Sequence, residues 1–166
     1  MPKRAASRRP ALSHIAGDGR ARMVDVGRKE LTARAAKAEA IVCLGRTLAR
    51  LIASTGGVAK GNVLDTARLA GILAAKKTAE LIPLCHPVAL DSVDVSADLH
   101  DTEVIIVASV RCRGATGVEM EALTAAAVTA LTVYDMCKSA DKGIVIRHVR
   151  LLEKSGGKSG HWRAGE

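Results

Sequence analysis

Glu119, Glu121, Asp135 and Lys138 are the notable polar residues of an otherwise apolar run, TGVEMEALTAAAVTALTVYDMCKSADK, at 116–142. Carboxylates and cations placed together can move protons and stabilise developing charge. A lysine three residues after an aspartate shares its helix face and favours the ionised carboxylate, so Asp135 and Lys138 form a candidate acid/base pair. His86 stands in the sequence PLCHP at 83–87. Two prolines stiffen that loop, and a fixed imidazole suits acid/base work or a phosphate contact. Lys60 follows Gly56 and Gly57 and precedes a helical pattern, a mild anion-site signal without the GxxxxGK[ST] motif. Lys154 ends an apolar strand pattern just before Gly156 and Gly157, where it can lean into a cleft. Each of these residues also has an ordinary reading, as a cap, a solvated charge or a packed side chain. Cys43, Cys85, Cys112 and Cys137 form no CxxC and have no metal-ligand spacing. They are candidate nucleophiles by type and small core residues by habit, and no metal site is expected.

These groups need elements to hold them. The run 116–142 reads as one long helix, opened by Thr116 and Gly117, with acids in its first turn and lysines near its end, as the helix dipole favours. Glu121 and Asp135 are close to a whole number of turns apart, so they share a face, yet they stand roughly 20 Å apart along the axis. A single small-molecule site cannot use both ends of one helix. Either one end alone is chemical, or two copies of the chain bring opposite ends together; the second is the expectation. Asn62 is the expected N-cap of another helix that runs to Pro83, with Leu64, Ala67, Gly71 and Ala74/Ala75 on one face. A short helix is expected at 46–53. Strands are expected at 35–44, 88–100, 103–114 and 143–154, with a hairpin turn at 100–102 and a further short strand in the MVDV segment at 23–26. The main order is strand, helix, strand, strand, helix, strand. That predicts an α+β, ferredoxin-like domain: an antiparallel sheet with long helices packed on one face. The other face then needs a cover, from extra segments or another subunit.

With 166 residues, the chain is one domain by size, and 48% hydrophobic residues suffice for a full core. One Trp, one Tyr and no Phe mean that Ala, Val, Leu and Ile must build it. Residues 1–10 read as a disordered basic tail, 11–158 as the folded unit, and the Gly/Ser-rich 159–166 as a mobile tail. A net charge of +8 implies acidic partners. The cysteine usage fits a reducing cytoplasm, and no signal segment or membrane-spanning run is evident.

The segments KGNVLDTARLAGILAAKKTAELIPLCHP, TGVEMEALTAAAVTALTVYDMCKSADKGIVI and LLEKSGGKSG closely resemble cyclic pyranopterin monophosphate synthases, the MoaC family of molybdenum-cofactor biosynthesis. LSHIAGDGRARMVDVG is similar to the family's N-terminal signature, so the likeness covers residues 12 to about 160. It is looser over 16–55, and Asn62 stands where the family often has an acid. The resemblance implies a ferredoxin-like subunit, a homohexamer built as a trimer of dimers, and active sites at the dimer interface. It implies conversion of (8S)-3′,8-cyclo-7,8-dihydroguanosine 5′-triphosphate to cyclic pyranopterin monophosphate with release of diphosphate. The family's catalytic aspartate falls on Asp135, its substrate loop on Leu84, Cys85 and His86, and its Met-Glu pair on Met120 and Glu121. Family lysines fall on Lys60, Lys138 and Lys154, and another family carboxylate on Glu119. No resident cofactor is implied; Mg²⁺ is compatible with the sequence but not indicated by it.

Two other classes compete. A catalytically dead metabolite-binding protein on the same scaffold is opposed by the intact candidate residues and decided by turnover. A nucleic-acid-binding module shares the topology, but such modules stack bases on aromatic side chains of the sheet. Here the expected strands carry none, because Tyr134 lies in the long helix and Trp162 in the tail. Binding to random-sequence oligonucleotides, followed by fluorescence anisotropy, should therefore be weak and disappear as salt rises. A complex that survives high salt would favour the nucleic-acid class.

Overall fold

A computed structural model describes residues 15, 17–55, 57–58, 61–158 and 160–165. Its elements run β1 (Thr32–Cys43), α1 (Arg46–Thr55), β2 (Gly57–Val58), β3 (Gly61–Asn62), α2 (Val63–Lys76), α3 (Thr78–Leu81), β4 (Ser92–His100), β5 (Glu103–Gly114), α4 (Glu119–Cys137), β6 (Val145–Ser155) and β7 (Trp162–Arg163). The main sheet has the order β4-β5-β1-β6-β7, and its described pairings are antiparallel. Without the edge strand β7, this is the ferredoxin-like arrangement, with α2 and α4 as its two crossover helices. Asp101, at φ 50, turns the β4–β5 hairpin, a conformation Asp tolerates better than most residues.

Alternation along the strands divides the sheet into two faces. Ala36, Ala38, Ala40 and Val42 of β1 and Val104, Ile106, Ala108 and Val110 of β5 are buried on the helical side. Three alanines on the central strand let α4 lie close against it. On the opposite side Ile41, Ile105 and Val107 are only half-buried. They sit among charges: Glu39 meets His148 and Arg150, each at 3.0 Å, and Arg147 pairs with Glu103. Burial works to raise the pKa of Glu39, but hydrogen bonds from His148 and Arg150 prevail and hold it below the usual carboxylate value.

Asn62 caps α2 as expected: its Oδ1 accepts from the Asp65 N–H at 3.0 Å. The expected single helix to Pro83 instead breaks at Lys77, into α2 and α3. The buried Thr78 hydroxyl donates to the Ala75 carbonyl at 3.0 Å, offering the chain a local alternative at the break. The expected strand at 23–26 is not one. Arg20 and the residues up to Val26 have no ladder beyond the Ile15–Ala21 bridge. Asp25 instead accepts from the Gly27 N–H at 2.8 Å, which makes a turn. The C-terminal segment, expected as a mobile tail, adds Trp162–Arg163 to the sheet edge opposite Glu153 and Lys154. The basic tail at 1–10 lies outside the described residues, as does Lys60.

Gly71 is buried where α2 crosses α4. A Cβ there would overlap the Thr129 hydroxyl and lie 3.0 Å from the Ala125 carbonyl oxygen. Thr129 is itself fully buried and donates to that same carbonyl at 2.8 Å. Replacing Gly71 with alanine gains at most ~1 kcal/mol in helix propensity. The overlap costs about 1–3 kcal/mol, so Gly71→Ala should lower the urea midpoint, and adding Thr129→Ala should restore part of the loss.

Candidate active site

The PLCHP loop follows α3 and is closed by a hydrogen bond from the Cys85 N–H to the Ile82 carbonyl, 3.0 Å. It packs beside the β5–α4 connector. Leu84, Cys85, His86 and Val88 of the loop, with Thr116, Gly117, Glu119, Met120 and Glu121, line a cavity of about 180 Å³. Two segments some 30 residues apart in sequence thus form one wall each. The helix does not begin with a side-chain cap. Val118 holds the N-cap position, and Thr116, expected to open the helix, belongs to the cavity lining.

Gly117 matters through what it lacks. A Cβ there would overlap the carboxylate of Glu119, which folds back over the glycine. From that position Glu119 Oε1 accepts from Lys154 Nζ at 3.1 Å, with both side chains nearly three-quarters covered. Lys154 is delivered by the end of β6, so three separate elements meet at the mouth of the first turn of α4.

Glu121 lies deeper and is buried to 4% exposure. Burial pushes its carboxyl up, its own backbone N–H works against that, and the charge of Glu119 adds to the rise. A carboxyl that resists ionisation can donate a proton or a hydrogen bond, whereas its neighbour Glu119, bonded to a lysine, accepts. The pair therefore presents unlike groups two residues apart. Burial, then the Glu121 charge, also pushes the Cys85 thiol up, and burial does the same for Cys112. Both therefore lose thiolate character, which opposes a nucleophilic role.

Asp135 and Lys138 stand at the far end of α4. Lys138 Nζ reaches Asp135 Oδ1 at 2.6 Å, and both side chains are about half exposed. The hydrogen bond that Lys138 donates to Asp135, with the charge of that carboxylate, raises the lysine pKa. Within one chain this pair is roughly 20 Å along the helix from Glu121. The structure therefore brings together Leu84, Cys85, His86, Glu119, Met120, Glu121 and Lys154, and holds Asp135 and Lys138 apart from them.

A second, larger cavity of about 640 Å³ was not anticipated. Arg28, Lys29, Glu30, Thr32, Arg34, Gly157 and Lys158 line it. Arg34 joins the two cavities. Its Nε donates to the Gly114 carbonyl at 3.0 Å and its Nη2 to the Ala115 carbonyl at 3.2 Å. These carbonyls immediately precede Thr116 in the first cavity. Gly157, at φ +69, leaves room for the guanidinium, which a Cβ there would overlap. Nothing local marks Arg34 among 25 lysines and arginines. The glycine pair after Lys154 was the one available hint.

Residues 23–157 match the model of the MoaC family. The chain is also 60% identical over 149 residues to "Molybdenum cofactor biosynthesis protein 1" of Drosophila melanogaster, a match that covers 89% of this chain and 26% of that protein. The chain thus spans about a quarter of the length of that curated relative. Among the described residues, no helix is long and apolar enough to cross a membrane.

The state of Glu121 has a measurable consequence. Its folded pKa is raised, so its ionisation weakens the folded state, and that penalty grows as pH rises from the unfolded toward the folded value. Glu121→Gln should therefore raise the urea midpoint at about pH 8 and lose that advantage at about pH 3, where both states are protonated. An equal effect at both pH values would show that charge burial is not the cause.

Proposed function

Because this chain belongs to the MoaC family, we propose that it acts in molybdenum-cofactor biosynthesis as a cyclic pyranopterin monophosphate synthase. In this reading it is a lyase that converts (8S)-3′,8-cyclo-7,8-dihydroguanosine 5′-triphosphate to cyclic pyranopterin monophosphate and diphosphate. The observation that carries the reading is the convergence of Cys85 and His86, Glu119 to Glu121 and Lys154 around one cavity mouth. The substrate has a guanine-derived end rich in N–H donors and a triphosphate end. The unlike carboxyl groups of Glu119 and Glu121 suit the first, and His86 and the lysines suit the second. Lys60 belongs to the same proposal on the family likeness alone.

Asp135 enters as the general acid/base, with Lys138 tuning it through their 2.6 Å contact. The rigid helix keeps both from the cavity of their own chain, so the proposal places them in the cavity of a second copy. A dimer of this kind gives two equivalent sites, each drawing the loop and the first turn of α4 from one chain and the helix end from its mate. Three such dimers would make the hexamer. Half-buried Ile41, Ile105 and Val107 on the open sheet face support association, because apolar surface of this kind is stabilised by a partner. A cytoplasmic setting completes the reading.

Turnover of the cyclic nucleotide with equimolar release of diphosphate tests the activity, and its absence would refute it. Asp135→Asn should lower kcat by about 10²- to 10⁴-fold. Mixing Asp135→Asn chains with His86→Ala chains tests the shared site. Random pairing leaves about a quarter of the sites intact, and activity should return to about that level. No recovery after confirmed subunit exchange would mean that each chain supplies its own complete site.

A further inference from the structure

The end of β6 carries an irregularity that aims Lys154. Along the β1–β6 ladder Ala38 pairs with Leu151, but Lys37 pairs with Glu153, so Leu152 is an extra residue in β6. Side chains alternate between the faces of a strand, and one inserted residue reverses the alternation beyond it. Leu151 lies opposite Ala38 of the helical face, so an unbroken strand would send Lys154 to the open face. The bulge returns Lys154 to the helical face, opposite the buried Ala36, where it meets Glu119 at 3.1 Å. Glu153 takes the open face, opposite Lys37. A bulge also disrupts the ladder, and β7 lies directly across from this one. The Leu152 carbonyl accepts from the Ala164 N–H at 2.9 Å, and Glu153 and Lys154 pair with Arg163 and Trp162. His161 Nε2 meets Glu153 Oε1 at 2.8 Å. The hydrogen bond from His161 holds the Glu153 carboxyl below the usual carboxylate value, and the charges of Arg163 and Lys37 add to that. Gly156, at φ 95, and Gly157, at φ 69, begin the turn between the two strands.

We propose that β7 is a clasp for the bulged end of β6, and that His161, acting through Glu153, is a positioning residue that keeps Lys154 against Glu119. A strand of two residues near a chain end has little stability of its own and frays unless it is tied down. The bond from His161 to Glu153 is such a tie. Glu153 and Lys154 are neighbours on opposite faces, so holding Glu153 from the open side fixes the direction in which Lys154 leaves the strand. Simple cover for a sheet edge would need the backbone pairing of β7 but no bond at the residue beside Lys154. His161 lines neither cavity, so its influence on the site runs through the strand. That Lys154 serves the reaction rests on the function proposed above; the clasp rests on the strand geometry alone.

His161→Ala in the full chain tests the clasp. Trp162 is the only tryptophan and is 44% exposed, so its emission reports whether β7 is seated. The substitution should shift that emission to the red, increase its quenching by acrylamide and speed hydrogen exchange at the Ala164 amide. The acylation rate of Lys154, read by mass spectrometry with limiting reagent, should rise about 2- to 5-fold, the size expected for the loss of one exposed ion pair. The rate at Lys76, exposed on α2, should not change. The urea midpoint should hold, because the opening is local. His161→Arg keeps a donor opposite Glu153 and should restore the original values. In turnover of the cyclic nucleotide, His161→Ala should raise KM by a similar factor and leave kcat within about 2-fold. Unmoved Trp162 emission and Lys154 acylation would overturn the clasp. Released β7 with unchanged Lys154 acylation would reduce it to edge cover and overturn the positioning role. Faster acylation in a protein whose parent chain shows no turnover would uphold the clasp and refute the proposed function. Turnover with a KM indifferent to His161→Ala, despite faster acylation, would leave the proposed function standing and overturn the part given to His161 in it.

Discussion

A helix of 19 residues with no proline or glycine inside it is a rigid rod, and the separation of its ends is set by its backbone hydrogen bonds. In this molecule α4 carries carboxyl groups at its first turn and an aspartate–lysine pair at its last. No side-chain rearrangement brings those ends together within one chain. What the N-terminal end can do is decided by what the fold packs beside it: the PLCHP loop, the end of β6 and the β5–α4 connector. The C-terminal pair of Asp135 and Lys138 stays about the length of the helix away from the cavity that this end lines in its own chain. The rod thus divides the polar groups into two sets before any chemistry is considered.

The rod is held by small residues. With no phenylalanine in the chain, helix-to-sheet spacing is set by alanine and valine, and the α2–α4 crossing by Gly71 against Thr129. Such a core tolerates few errors, since its closely packed small side chains leave little slack around a defect. Glycine has the same spatial use at the site. Gly117 lets the Glu119 carboxylate fold back toward Lys154, and Gly157 leaves space for Arg34. Both are places where one methyl group would displace a charged side chain rather than fill a gap.

Among the described residues four polar side chains are buried, and Glu121, Thr124 and Thr129 of α4 are three of them. Glu121 is the one buried carboxylate among the described residues. The core packed behind it gains nothing from its charge, because a buried carboxyl is expensive unless it stays neutral or is paired. The unpaired Thr32 hydroxyl lies across the connector that Arg34 clamps. Groups that weaken the unliganded fold therefore lie on both sides of one loop, a pattern that suits binding better than stability.

Much of this was legible in the residues. Period-two alternation marked β4 and β5, β-branched content marked β6, the Asn62 cap marked α2, and Gly71 announced a close crossing. The acids of 119 and 121 marked the start of α4 although no side chain caps it. Some local signals misled. The MVDV segment has β-forming residues but no neighbouring strand to pair with, so it remains a turn held by Asp25. The helical pattern beyond Lys76 says nothing of the Thr78 hydroxyl that accompanies the break. Short-range patterns could not reveal that Trp162 and Arg163 reach the sheet edge, because that depends on where β6 lies. By itself, the sequence determined the main elements, their order, the kind of core and which residues are candidates for chemistry, since those follow from local periodicity and side-chain type. Only the tertiary structure decided which of these residues meet. The meeting of Lys154 with Glu119, the exile of Asp135, and the role of Arg34 between two cavities all depend on contacts between segments far apart in the chain, which no local pattern encodes.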